Sequence, residues 1–215
     1  TAVINVPSIA LDRVRKELAR SAEIIQEMLT TSINAMKSGN PGLLKTMKRE
    51  DDKVDRLEEA CINYLSRIRQ NQLTENEIRQ HQTLLVATVA LENLGDVIET
   101  KLVELGEQEI GTNYTKSDQT SRLTDGLYLC VQHALDLVCR AIRENSVEAA
   151  EELLDIEPHI KQLRRDLMIR KSERLGSDNQ DAILVARIEI SVASKLMRMY
   201  NLMKNIASEI ISEHE

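Results

Sequence analysis

The sequence contains no phenylalanine and no tryptophan, and it has only four tyrosines. A core built from it must be aliphatic, made of leucine, isoleucine, valine and methionine, which suit helical seams. Proline and glycine are scarce as well, at three and seven residues, so long helices can run with few interruptions. No apolar run approaches the ~18 residues of a membrane span, and no signal-peptide core is present. Cys61, Cys130 and Cys139 lack paired spacing and fall on apolar helical positions. An odd number of such thiols points to a reducing compartment without disulfides, each cysteine acting as a small core residue. Positive charge is in deficit: 28 lysines and arginines against 35 acids leave a net charge of −7. With so few aromatics for base stacking, that balance argues against a nucleic-acid partner.

Catalytic signatures are also missing. The sequence has no glycine-rich phosphate loop, no GxSxG elbow and no CxxC pair. Its four histidines, His81, His133, His159 and His214, are scattered, and none follows a glutamate by three residues. The Glu-x-x-His element of di-iron carboxylate bundles is therefore absent. An enzyme is not expected. His133 reads as a surface or boundary residue and His81, four after Glu77, as part of an ordinary helix face.

What is present is an internal repeat. Ala22-Glu23-Ile24-Ile25-Gln26-Glu27-Met28-Leu29 aligns with Tyr128-Leu129-Cys130-Val131-Gln132-His133-Ala134-Leu135. The same shift of 106 brings Ile33 onto Cys139, Met36 onto Ile142, Val54 onto Ile160 and Leu57 onto Leu163. Further on, a shift of 105 brings Leu91, Val97 and Ile98 onto Leu196, Leu202 and Met203. This period is too long for a solenoid unit of roughly 20–50 residues. The expected fold is all-α, with six helices as two tandem three-helix bundles. Residues 1–110 would form the first repeat, 111–118 a connecting loop and 119–215 the second repeat.

The helix signals agree with that division. Leu11, Val14, Leu18, Ile25, Leu29 and Ile33 mark helix one, with Ser8 as its expected N-cap and Gly39 as its left-handed stop. Helix two follows Pro41, carries Met47, Val54, Leu57, Cys61, Leu65 and Ile68, and ends near Asn71. Thr74 and Glu77 have the spacing of a capping box for helix three, which is expected to end near Gln108. Residues 119–144, 147–175 and 179–213 are expected to form helices four to six, with Gly176-Ser177-Asp178 before the last. Pro158 falls inside helix five, where it predicts a kink, or a break after Leu154. Short connections make neighbouring helices antiparallel.

Acidic residues lie beside the seam of the first repeat. Asp51 and Asp55 are four apart on helix two, and Asp51 is four after Met47 and three before Val54. Glu92 and Asp96 repeat that spacing on helix three, with Gly95 between them. Glycine in a helix interior costs ~1 kcal/mol, and its small size lets a neighbour come close. Two antiparallel helices with such pairs would gather four carboxylates, a hard-oxygen ligand set for Mg, Ca, Mn or oxygen-bound iron. A solvated acidic helix face would use the same residues. In the second repeat Asp51 and Asp55 become Glu157 and Lys161, while Glu92 and Asp96 become Met197 and Asn201. A second metal site is not expected.

Glu50-Asp51-Asp52-Lys53-Val54-Asp55-Arg56-Leu57, followed by Leu91-Glu92-Asn93-Leu94-Gly95-Asp96, resembles the paired acidic motifs of the PhoU family. The family's third helix usually reads Glu-Arg-Ile-Gly-Asp, so Asn93 stands where arginine is common. The duplicated layout extends the resemblance over essentially the whole chain. Pro7-Ser8-Ile9-Ala10-Leu11, with Glu17-Leu18 downstream, is similar to the segment leading into PhoU-type domains at the C-terminus of bacterial sodium/phosphate cotransporters. The resemblance implies a cytoplasmic domain at the inner membrane that regulates, or forms part of, a sodium-dependent phosphate transport system. It implies a divalent or iron-type metal ion on Asp51, Asp55, Glu92 and Asp96, and a membrane transporter portion as partner, fused or separate. A homo-oligomer is compatible with it. Because the sequence opens on Thr1, transporter spans ahead of it are an expectation. The competing readings are a free-standing phosphate-signalling regulator, a helical interaction scaffold and a carboxylate-bridged metalloenzyme.

Overall fold

The computed structural model describes residues 4, 6–111, 118–175 and 179–215. Helix α1 spans Pro7–Ser38 and α2 spans Met47–Ile68, the latter entered through a 3-10 turn at Leu44–Thr46. Helix α3, Glu75–Asp96, runs through a π-helical turn, Val97–Leu102, into α4, Val103–Ile110. Helices α5 (Asp118–Glu144), α6 (Val147–Asp155), α7 (Glu157–Leu175) and α8 (Gln180–Glu213) complete the chain. With α3–α4 and α6–α7 each counted as one interrupted rod, these are the six expected helices, and no strand occurs among the described residues.

Helices α1, α2 and α3 pack on one another, as do α5, α7 and α8, and α6 joins the second group through α5 and α8. The two groups meet where α1 packs on α5 and α3 packs on α8. Four long helices thus make the centre, with α2 outside one group and α6–α7 outside the other. The seam is aliphatic: Leu11, Leu18, Ile25 and Leu29 of α1 and Leu127, Val131, Leu135 and Val138 of α5 are all buried. Such burial contributes roughly 1.5–3 kcal/mol for each large side chain. At one end of the junction Arg15 of α1 pairs with Glu213 of α8 at 3.6 Å, and both are buried. Asn145 donates to the same Glu213 oxygen at 3.0 Å from a backbone with positive φ just beyond α5.

The punctuation residues behave largely as their chemistry dictates. Gly39 takes φ 64° and its N–H bonds Met36 O at 3.4 Å, closing α1. The Thr74 hydroxyl accepts from the Glu77 N–H while the Glu77 carboxylate accepts from the Thr74 N–H, a complete capping box. Ser8, by contrast, is not an N-cap. Pro7 already occupies the first turn, where its fixed φ suits the helix and its missing N–H costs nothing, and Val6 precedes it without a side-chain cap.

Helix five breaks as Pro158 requires, at Ile156 between α6 and α7. Proline cannot donate back to the Leu154 carbonyl. Backbone N–H groups at the end of α6 bond the Leu153 and Leu154 carbonyls, and the buried Tyr200 hydroxyl joins them, at 3.1 Å from Leu153 O and 3.5 Å from Leu154 O. Helix three continues to Ile110, two residues past the expected end. Most of the expected connecting loop (residues 112–117) and the Gly176-Ser177-Asp178 turn lie outside the described residues.

Candidate metal centre and its counterpart in the second unit

Helices α2 and α3 approach closely because Gly95 has no side chain. A Cβ on Gly95 would stand 2.6 Å from Asp51 Oδ1 and 3.5 Å from Val54 Cγ1. The small residue that the sequence places between Glu92 and Asp96 therefore admits Asp51 itself. Asp51 is 8% exposed, and its Oδ1 is buried without a hydrogen-bond partner. Leaving a carboxylate oxygen so placed is costly.

Asp55 and Asp96 are exposed and Glu92 is half-buried. All three act electrostatically on Asp51, and so does Glu99, one turn beyond Asp96. Burial first, then Asp55, Asp96, Glu99 and Glu92, push the Asp51 carboxyl up to about 7. Glu92 is raised as well, by burial and then by Asp96, Asp55 and Glu58. The structure thus gathers the four predicted acids into one field and adds Glu58 and Glu99. Both were readable in the sequence, since Glu58 is three after Asp55 and Glu99 is three after Asp96.

The donor set is hard oxygen, and a buried carboxylate oxygen lacks any proton donor, so the chemistry fits a hard cation. As the side chains stand, no three Asp, Glu, His or Cys among the described residues are close enough to hold one ion. Asp55, Glu92 and Asp96 ride on rotatable side chains, and like charges on such chains keep apart.

The equivalent place in the second unit is built differently. Tyr200 stands at the position of Gly95 and is fully buried. Glu157, the counterpart of Asp51, pairs with Lys161 and Lys204, each at 2.7 Å. Those lysines replace Asp55 and Glu99. Hydrogen bonds from Lys161 and Lys204 hold the Glu157 carboxyl below its ordinary range. Met197, at the position of Glu92, is buried.

The histidines are structural or exposed. His81 is not on an open helix face: it is buried, with ring Nε2 3.0 Å from Leu65 O, and so ties α3 to α2. His133 is exposed. Cys61 and Cys139 are buried, Cys130 is half-buried, and all three are free thiols. No helix among the described residues is long and apolar enough to cross a membrane.

Three comparisons bear on this arrangement. A family model described as the PhoU domain matches residues 18–100, the stretch that carries every acid of the cluster. The "Putative inorganic phosphate export protein YjbB" of Escherichia coli O157:H7 is 20% identical over 210 residues, 98% of this chain. Its counterpart in Salmonella typhimurium is equally similar. The chain spans 38% of the length of these relatives. PhoU from Pseudomonas aeruginosa superposes with a TM-score of 0.88 at 17% identity, covering 96% of this chain and 98% of that one. The phosphate transport system regulatory protein PhoU from Streptococcus pneumoniae gives 0.84 at 14% identity, covering 97% and 96%. At these identities the structural likeness is one of fold.

Proposed function

We propose that this chain, PhoU-like in its fold and in the acidic motifs of its first unit, is a regulatory part of a phosphate transport system. The observation that carries the reading is the buried, unpartnered Asp51 oxygen seated in the Gly95 notch, within the stretch that matches the PhoU domain. Asp51, Asp55, Glu92 and Asp96 would hold a divalent or oxygen-bound iron ion, which neutralises the cluster when bound. The chain's own part is to set the distance between α2 and α3. With the Asp51 charge opposed the two helices can stay in contact, and with it unopposed the repulsion works against their packing.

In this reading the chain sits at the cytoplasmic face of the inner membrane and docks on a membrane transport portion, fused to it or separate. The transport is sodium-coupled. The relatives named for phosphate export, of which this chain spans 38%, support phosphate as the transported ion. The role is regulatory and not catalytic.

The test is phosphate flux in the source cells. Asp51→Asn with Asp96→Asn should change the uptake or efflux of radiolabelled phosphate, and replacing external sodium should remove the regulated component. Unchanged flux in the variant and in a strain lacking the chain would refute the reading and leave a helical scaffold.

A further inference from the structure

The second unit has not merely lost acids at the pseudo-equivalent groove; it has gained bases. At the shifts that relate the units, Asp55 becomes Lys161, Glu58 becomes Arg164, Asn93 becomes Arg198 and Glu99 becomes Lys204. Arg164 of α7 and Arg198 of α8 line one open cavity of about 450 Å³ with Ser194, Asn201 and Asn205. The α8 residues are spaced four, three and four apart, which places them on one helix face, and all are exposed. No carboxylate lines the cavity. The neighbouring Glu157 is taken up by Lys161 and Lys204, and neither arginine forms an ion pair with a described carboxylate.

We propose that this groove binds a phosphate-type oxyanion, with Arg164 and Arg198 as its charged clamps and Ser194, Asn201 and Asn205 as neutral donors. A guanidinium presents paired N–H groups at the spacing of two phosphate oxygens and stays charged at any working pH. Two such forks arriving from different helices approach a tetrahedral anion from separate directions. Hydroxyl and amide groups complete its coordination without adding charge. The volume lies within the ~300–1,000 Å³ typical of ligand sites and leaves room for a substituent on the anion. Free inorganic phosphate and the phosphomonoester of a lipid headgroup share this chemistry. The inference rests on the groove's own residues and stands apart from the transport reading.

The experiment titrates the full chain with inorganic phosphate by calorimetry at constant ionic strength. In a second arm, the chain is floated with phosphatidylcholine vesicles with and without phosphatidic acid. Arg164→Gln with Arg198→Gln should weaken binding at least tenfold, the loss expected for charge-assisted hydrogen bonds. Arg198→Lys, which keeps the charge and removes the fork, should also weaken it and covers the case of a misfolded double variant. Arg20→Gln, at an exposed arginine on α1 outside both grooves, should leave it unchanged. Saturable binding of phosphate identifies the free ion as a ligand, and binding to the phosphatidic acid vesicles alone identifies the headgroup. If neither probe binds, or if binding is the same in the arginine variants, the proposal is overturned.

Discussion

Replacing Asp51 with asparagine keeps the shape of a buried side chain and removes its charge, which isolates what that charge does to stability. The ordinary carboxyl value is 3.8, and in the folded chain Asp51 titrates at about 7. A group whose folded pKa is raised stabilises the native state below its unfolded value, and that contribution is lost as pH rises through the folded value. Stability should therefore decline between about pH 4 and pH 7, where the folded chain holds a proton that the unfolded chain has released. The gap corresponds to about 4 kcal/mol at about 1.4 kcal/mol per pH unit, a ceiling because water and side-chain rotation relieve part of the repulsion. A loss of about 2 kcal/mol is the working expectation, and Glu92, also raised, acts in the same direction. Urea unfolding in chelator across that pH range should show a falling midpoint for the wild type and a flatter one for Asp51→Asn. Equal slopes in both proteins would refute the reasoning, because Asp51 would then not be the group that is titrating.

Two other perturbations test neighbouring parts of the account. Gly95→Ala gains ~1 kcal/mol of helix propensity but places a methyl 2.6 Å from Asp51 Oδ1, an overpacking that costs ~1–3 kcal/mol. It should be neutral or destabilising alone and stabilising in an Asp51→Ala background, and additive values in a double-mutant cycle would contradict the close approach. Tyr200→Phe removes a buried hydroxyl that donates to the Leu153 carbonyl, which keeps its backbone N–H partner, and should cost ~0.5–1.5 kcal/mol in urea unfolding. No change would mean that the hydroxyl adds nothing to the backbone bonds already made there.

Much of the architecture was legible because its signals are local or periodic. The stripe through Leu11, Leu18 and Leu29, the stop at Gly39, the Thr74–Glu77 box and the break before Pro158 each follow from chemistry within a turn or two of the chain. Ser8 misled because a good capping residue next to proline is outranked by proline's fit to the first turn. The π-helical turn at Val97–Leu102 was not legible, since one extra residue in a turn has no compositional mark. Contacts that depend on tertiary packing were equally silent: the His81 ring on the Leu65 carbonyl, Tyr200 at the proline break, and the buried Lys171–Glu189 pair between α7 and α8. The acidic cluster was legible in part, because spacing and Gly95 place Asp51, Asp55, Glu92 and Asp96 together. Glu58 and Glu99 were readable too, each three residues past Asp55 and Asp96, whereas the depth of Asp51 came from packing. The inversion to lysine and arginine in the second unit lay within the repeat alignment but acquires meaning only once Arg164 and Arg198 line one groove.

The central claim is that the first unit's acids form a cation site, and thermal melting in chelator and then in excess divalent metal tests it most directly. A cation that binds only the folded chain adds about 2.7 kcal/mol at one hundred times its Kd, or roughly 5–11 °C at ~2–4 °C per kcal/mol for a chain of this size. The wild type should melt low in chelator and recover with metal. Asp51→Asn with Glu92→Gln should melt at or above the chelated wild type and ignore the metal. A flat response in the wild type, or the same metal-induced rise in both proteins, would contradict the account.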